Sequence, residues 1–267
     1  MTVDEVLARR LRAVGLDPED PGDPREAFRR LHDRYGKRAT LLDRYALEAA
    51  DRGVRVDELD DQMRARVTAD VLALHDPGFE VIGGSDRRST DPVEVVEYDP
   101  EWPARFEHWR RRLQAGLGSR LARIEHVGST AVPGMAAKPV VDVQVAVPDV
   151  EDEPAYVPAI ERAGVAFRSR ETRHRYFRPA GDRPRDVQVH VCSAGSEWER
   201  QHLLFRDYLR SAPAARNAYA RLKRELSERH RHDRIAYNEA KTEFILDAMA
   251  DAEAWAQRTR WTVERAR

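Results

Sequence analysis

Over the first 82 residues, apolar positions recur at helical spacing. Val3, Val6, Leu7, Leu11 and Val14 fall on one stripe, closed by Gly15, Asp17 and Pro18. Phe28, Leu31 and Tyr35 form a second stripe behind Pro24. Leu41, Leu42, Tyr45, Ala46 and Ala49 form a third, ended near Gly53. Leu59, Met63, Val67, Val71 and Leu72 form a fourth behind Asp57. Short amphipathic helices on short loops predict a small all-α domain over 1–82. The next stretch, GGSDRRSTDP (83–92), has no apolar side chain and reads as a linker.

Beyond the linker the pattern changes toward strands. VEVVEY (93–98), ARIEHVGST (122–130), VVDVQVAV (140–147), VAFRSRE (165–171), RYFRPA (175–180) and DVQVHVC (186–192) read as strands. GDRP (181–184) makes the turn between the last two. Helices are predicted over 102–118, with Pro103 in the first turn, and over 153–164, where Pro158 interrupts the pattern. Three more follow the sheet, over 197–211, 213–231 and from 234 to near the C-terminus. The expected architecture is α+β: a mixed sheet with flanking and C-terminal helices over 93–267, preceded by the helical domain.

Composition removes several function classes. Hydrophobic residues make up 41% of 267, enough for a core, and 46 basic residues nearly cancel 47 acidic ones. A polycation that coats nucleic acid or anionic membrane is therefore excluded, and nucleic acid is not an expected partner. The single cysteine, Cys192, rules out a disulfide-stapled domain. The opening MTVDEVLARRLRAVGL has no signal-peptide core, and no run approaches the roughly 20 apolar residues of a membrane span. The expectation is a soluble cytoplasmic protein without a membrane partner. Only Lys37, Lys138, Lys223 and Lys241 are lysines; the other 42 basic residues are arginine, which suggests a GC-rich coding bias. A lysine that survives such a bias marks either chance or a place where a compact ammonium is required.

The strand 140–147 carries the first chemical signal. Its valines share one face, and Asp142 and Gln144 share the other. A carboxylate on so apolar a strand must be paired with an arginine or bind a ligand. The strand 186–192 repeats the arrangement with Gln188, His190 and Cys192. If the two strands are neighbours, Asp142, Gln144, Gln188 and His190 converge, as an acid/base or hard-metal site requires. The turn HVGSTAVPGMAAKP (126–139) leads into the Asp142 strand; Gly128 permits close backbone approach, and Ser129 and Thr130 offer hydroxyls. Lys138 ends the loop, but the spacing is not that of a Walker A motif. In RSRETRHRYFRPA (168–180), Arg175 and five other basic residues surround Tyr176 and Phe177, which suits phosphate and a base, or a solvated hairpin. Tyr237 and Lys241 share a helix face at i,i+4, and Lys223 lies on the preceding helix.

With these residues in place, EYDPEWPARFEHWRRRL (97–113), IEHVGSTAVPGMAAKPVVDVQV (124–145), WERQHLLFRDYLRSAP (198–213) and DRIAYNEAKTEFI (233–245) resemble the GrpB family, also called UPF0157. The resemblance covers about 93–250 and omits the N-terminal region. It implies a nucleotidyltransferase-type sheet. It also implies a phosphate turn at Gly128 and Ser129, with Asp142 at the acidic metal position. Gln144 stands where a second carboxylate is expected, and His190 or Gln188 where a third is. On this basis the expected function is binding of a nucleoside triphosphate with Mg²⁺ and nucleotidyl transfer to an unknown acceptor. Asp142 and His190 would hold the metal, and Asp142, His190 and Lys138 would be the catalytic set. Gly128, Ser129, Thr130, Arg175, Lys223, Tyr237 and Lys241 would bind phosphate or nucleotide, and His126 would orient the acceptor. One alternative is a non-catalytic nucleotide or phosphometabolite module, with residues 1–82 contacting a protein partner. Another is ATP-dependent acyl activation or ligation in the same pocket.

Overall fold

A computed structural model describes residues 3–82, 92–181 and 183–265. The chain forms two compact units. The first comprises Met1–Pro77 together with Asn238–Glu243, and the second Gly78–Tyr237 with Phe244–Arg267.

The first unit contains the four expected helices: α1 (Val3–Ala13), α2 (Pro24–Tyr35), α3 (Leu41–Asp51) and α4 (Asp61–His75). Side chains set their starts. Asp23 accepts from the backbone of Arg25 and Glu26, Thr40 and Asp43 form a capping box, and Asp60 accepts from Met63. Leu11, Phe28, Leu31, Tyr45, Leu47 and Val67 are buried, as their helical spacing predicts. Within the same unit the carboxylate of Glu239 accepts from the backbone of Leu41, and Arg10 pairs with both Asp43 and Glu243.

The second unit opens with β1 (Glu80–Val81), in a segment expected to be helical. It continues with α5 (Trp102–Leu117), β2 (Arg123–Val127), β3 (Val141–Val147), α6 (Glu153–Arg162), β4 (Ala166–Glu171), β5 (His174–Arg178) and β6 (Val187–Ser193). Four helices follow: α7 (Glu197–Ser211), α8 (Pro213–Arg229), α9 (Arg234–Glu239), whose last two residues belong to the first unit, and α10 (Thr242–Thr259). The sheet order is β1-β4-β5-β6-β3-β2; β3 and β6 run parallel, and every other pair is antiparallel. Strict alternation sends Val141, Val143, Val145, Val187, Val189 and Val191 to one face, where they pack with Trp109, Leu113, Leu117, Tyr156 and Ile160 of α5 and α6. Fully burying each such side chain contributes roughly 1.5–3 kcal/mol, so register is set from this side.

Two expected elements differ. No strand forms over 93–98: Val93 turns inward and its backbone donates to Arg231, while Val96 makes a single bridge with Ala137. The last expected helix is broken at residues 240 and 241 between α9 and α10. The expected linker, apart from Pro92, and Asp182 of the expected turn lie outside the described residues.

Candidate functional site

The candidate site is built on the face of the sheet opposite the valine core. Parallel pairing sets Asp142 of β3 against Gln188 and Gln144 against His190 of β6. On β2, Val127 pairs with Asp142 and leads directly into Gly128. Gly128 has φ +71°, and a Cβ placed on it would lie 2.2 Å from Asp142 Oδ2 and 3.1 Å from its Cβ. Only glycine fits there, because the conformation is left-handed and the carboxylate occupies the side-chain space. The turn and the aspartate therefore share one wall. Ser129 is half-buried, and its hydroxyl and backbone N–H have no hydrogen-bond partner among the described residues.

A file of polar rings crosses the sheet from Asp142. His190 Nε2 lies 3.6 Å from Asp142 Oδ1, and His190 Nδ1 lies 2.9 Å from His174 Nε2 on β5. His174 Nδ1 lies 3.4 Å from Glu171 on β4. Trp198 of α7 stacks on His174 with ring centroids 4.5 Å apart and fixes its plane. Burial, opposed by Glu171, pulls the His174 pKa below its ordinary value. Tyr176 of β5 pairs with His190 in register; burial first, then the Asp142 charge, pushes its phenol pKa upward.

Lys138 closes the other side. Its Nζ sits 5.1 Å from the ring centroid of Tyr237, and burial and then Arg234 lower its pKa while Asp142 opposes them. The buried phenol of Tyr237 is raised to about 12. Lys223 of α8 is also buried, 4.7 Å over the ring of Tyr219, whose phenol lies within the electrostatic reach of Tyr237 and Asp142. Asp142, His190, Lys138, Gly128, Ser129 and Tyr237 thus lie near one another at one end of the sheet, and the Lys223–Tyr219 pair lies within electrostatic reach of Asp142.

Several expected residues are placed elsewhere. Thr130 is sealed beneath the turn, its hydroxyl between Val140 O at 3.3 Å and His126 Nε2 at 3.0 Å. His126 pairs with Val143 and so faces the core side, stacked on Phe106 at 4.8 Å. Burial pulls its pKa to about 4, and the ring braces the turn through Thr130. Arg175 pairs with Val191 on the core side, where it is ion-paired to Glu151 and Glu153 and takes no part in the cleft. The alternation of β5 thus splits the basic segment: His174, Tyr176 and Arg178 face the cleft, Arg175 and Phe177 the core. The Tyr237–Lys241 helix face is not formed, because Lys241 lies in the break after α9, with its ammonium 3.2 Å from Asn238 Oδ1. Gln144 is turned toward the backbone carbonyl of Glu199.

The donor set does not fit a resident Mg²⁺. That ion takes six oxygens near 2.1 Å, using one or two carboxylates with water and phosphate. Here the protein offers one carboxylate, Asp142, with His190 Nε2 3.6 Å from it, and the described residues contain no group of three or more His, Cys, Asp or Glu able to hold a metal ion by themselves; an ion would have to take its remaining oxygens from water and ligand phosphate. Sequence reasoning also missed two cleft residues, Arg185 and Arg234. Arg185 precedes β6; the carbonyl of the next residue, Asp186, accepts from the backbone of Val141, which places Arg185 at the Asp142 end of the sheet, within electrostatic reach of Tyr176 and Arg178. Arg234 stands one helical turn before Tyr237. The i,i+3 spacing of Arg234 and Tyr237 was a legible signal; nothing marked Arg185 among so many arginines.

Comparison with known proteins places the chain in a defined group. The GrpB protein family model matches residues 92–251. A UPF0157 protein of Halalkalibacterium halodurans is 36% identical over 178 residues, 66% of this chain and 90% of that protein. Another from Streptomyces coelicolor is 41% identical over 167 residues, 62% of this chain and 86% of the relative. The crystal structure of the conserved protein GrpB from Enterococcus faecalis superimposes with a TM-score of 0.54 at 32% identity, covering 61% of this chain and 99% of that one.

Proposed function

The chain belongs to the GrpB family, and from that premise we propose that its second unit binds a nucleoside phosphate, or a closely similar phosphorylated metabolite, in the cleft between the Gly128 turn and the Asp142 end of the sheet. The observation that carries this reading is the packing of Gly128 against Asp142, with no room for a Cβ. It brings an unpartnered Ser129 N–H and hydroxyl to a wall faced by Lys138. Free backbone donors beside a lysine match phosphate oxygens. Isothermal titration with ATP, CTP, GTP, UTP and their diphosphates tests the reading. Saturable binding that weakens at least tenfold in Lys138→Gln supports it; no binding across the panel overturns it.

A second reading, nucleotidyl transfer to an acceptor, is favoured by the Asp142–His190–His174 file. With His190 Nδ1 hydrogen-bonded to His174, its Nε2, 3.6 Å from Asp142 and outside hydrogen-bond distance, is the nitrogen left to accept a proton from a hydroxyl nucleophile. Pyrophosphate release that requires both a nucleotide and an acceptor extract, and that is lost in His190→Asn, would support it. Binding without turnover favours the first reading.

A further inference from the structure

Arginines in this protein are commonly neutralised. Arg170 and Arg175 meet Glu153, Arg200 meets Glu253, Arg206 meets Asp207 and Glu125, and Arg224 meets Glu97. The cleft wall departs from this pattern. Arg185 and Arg234 make no ion pair or hydrogen bond among the described residues, and Arg234 Nε is buried without an acceptor. Lys138 rests on the Tyr237 ring instead of on an acid.

These cations come from three separate elements and meet at one end of the sheet. Lys138 is in the loop before β3, and Arg185 precedes β6, next to the start of β3. Arg234 begins α9, one turn from the tyrosine under Lys138. Their fields overlap: Arg185 and Arg234 both act on Tyr176 and on the buried Arg178, and Arg234 also acts on Lys138. Opposing them, Asp142 acts on Lys138 and Tyr176. Three uncompensated cations against one carboxylate, in a half-buried cleft, repel one another and disfavour the compact state unless an anion arrives.

Accepting the phosphate-ligand reading above, we infer that Lys138, Arg185 and Arg234 bind the ligand's phosphate groups directly, so that no Mg²⁺ is needed to hold them. The one carboxylate, Asp142, does not hold Mg²⁺ by itself, so these cations are the protein's own means of meeting phosphate charge. Phosphates then seat between the Ser129 donors and these cations, and Asp142 is left beside His190.

The test is titration of the full-length protein with ATP and with inorganic pyrophosphate, in buffer containing Mg²⁺ and in buffer containing EDTA, with melting curves to verify folding. The expected result is affinity in EDTA within about threefold of that in Mg²⁺. Arg185→Gln and Arg234→Gln should each weaken binding about tenfold, Arg234→Lys should restore part of the loss, and Asp142→Asn should tighten binding, because it removes a repelling charge. Binding that EDTA weakens more than threefold, or that Asp142→Asn weakens, overturns the inference and leaves the phosphate-ligand reading standing. Normal affinity in the folded double variant Arg185→Gln/Arg234→Gln also overturns it. Failure of both ligands to bind in either buffer overturns the inference, and the parent reading falls with it when the CTP, GTP, UTP and diphosphate titrations are also blank.

Discussion

At the scale of single residues, Gly128 and His126 show how the turn is held. Alanine at 128 would have to adopt φ near +71° and displace the Asp142 carboxylate. Strain at such a position costs about 1–3 kcal/mol. Gly128→Ala should therefore lower the melting temperature by several degrees and weaken nucleotide binding at a temperature where the fold is intact. His126 makes a second prediction. The Thr130 hydroxyl donates to Val140 O, so the proton on His126 lies on Nε2 and is shared with Thr130. The ring titrates near 4 when folded and near 6.5 when unfolded. Between those values the unfolded chain holds the extra proton, so stability is fully present above about pH 6.5 and falls, by a few kcal/mol at most, as pH drops toward 4. All five tryptophans lie in the second unit, so denaturant curves followed by their fluorescence report this unit alone. His126→Phe should retain the stacking, lose about 1 kcal/mol at neutral pH with the hydrogen bond, and flatten the acid limb.

At the scale of elements, period-two alternation explains both what was legible and what was not. The valine faces of β3 and β6, and the convergence of Asp142 with His190, could be read from the sequence because each strand repeats its pattern without a break. The segment 168–180 could not be read in the same way. Its basic and aromatic residues are adjacent in sequence and therefore point to opposite faces. Arg175 went to Glu151 and Glu153, which come from the α6 region. Its removal should accordingly act on stability and not on the ligand. Arg175→Ala leaves Glu153 half-compensated and should cost roughly 3 kcal/mol in denaturant unfolding, with the nucleotide affinity of the folded protein unchanged. Loss of binding by a folded Arg175→Ala protein would return this residue to the cleft. The break between α9 and α10 was likewise hidden, because no proline or glycine marks residues 240 and 241.

At the scale of the whole molecule, the formal charge of −1 conceals a local imbalance. Cations without partners at one end of a sheet attract anions at short range, and salt screens that attraction with a Debye length of about 10 Å at 0.1 M. The dissociation constant for ATP should therefore rise steeply with ionic strength, although the protein as a whole is nearly neutral; titrations at increasing potassium chloride measure the slope, and a flat slope would count against phosphate binding by Lys138, Arg185 and Arg234. The family match covers residues 92–251 and leaves the helices α1 to α4 outside it. Those helices were legible as amphipathic stripes. The membership of Asn238–Glu243 in their unit was not, because Glu239 and Glu243 lie about 200 residues from the groups they meet, Leu41 and Arg10.

By itself the sequence determined most elements of the sheet, the faces of its strands, and the turn and aspartate that define one end of it. Those properties follow from local spacing, since apolar period and backbone freedom act over a few residues. Tertiary structure alone decided which cations remain without partners, which hydroxyls are sealed, and which histidines touch. These outcomes depend on which distant acids and rings reach each group, and side-chain pairing across the fold is not encoded in any local period.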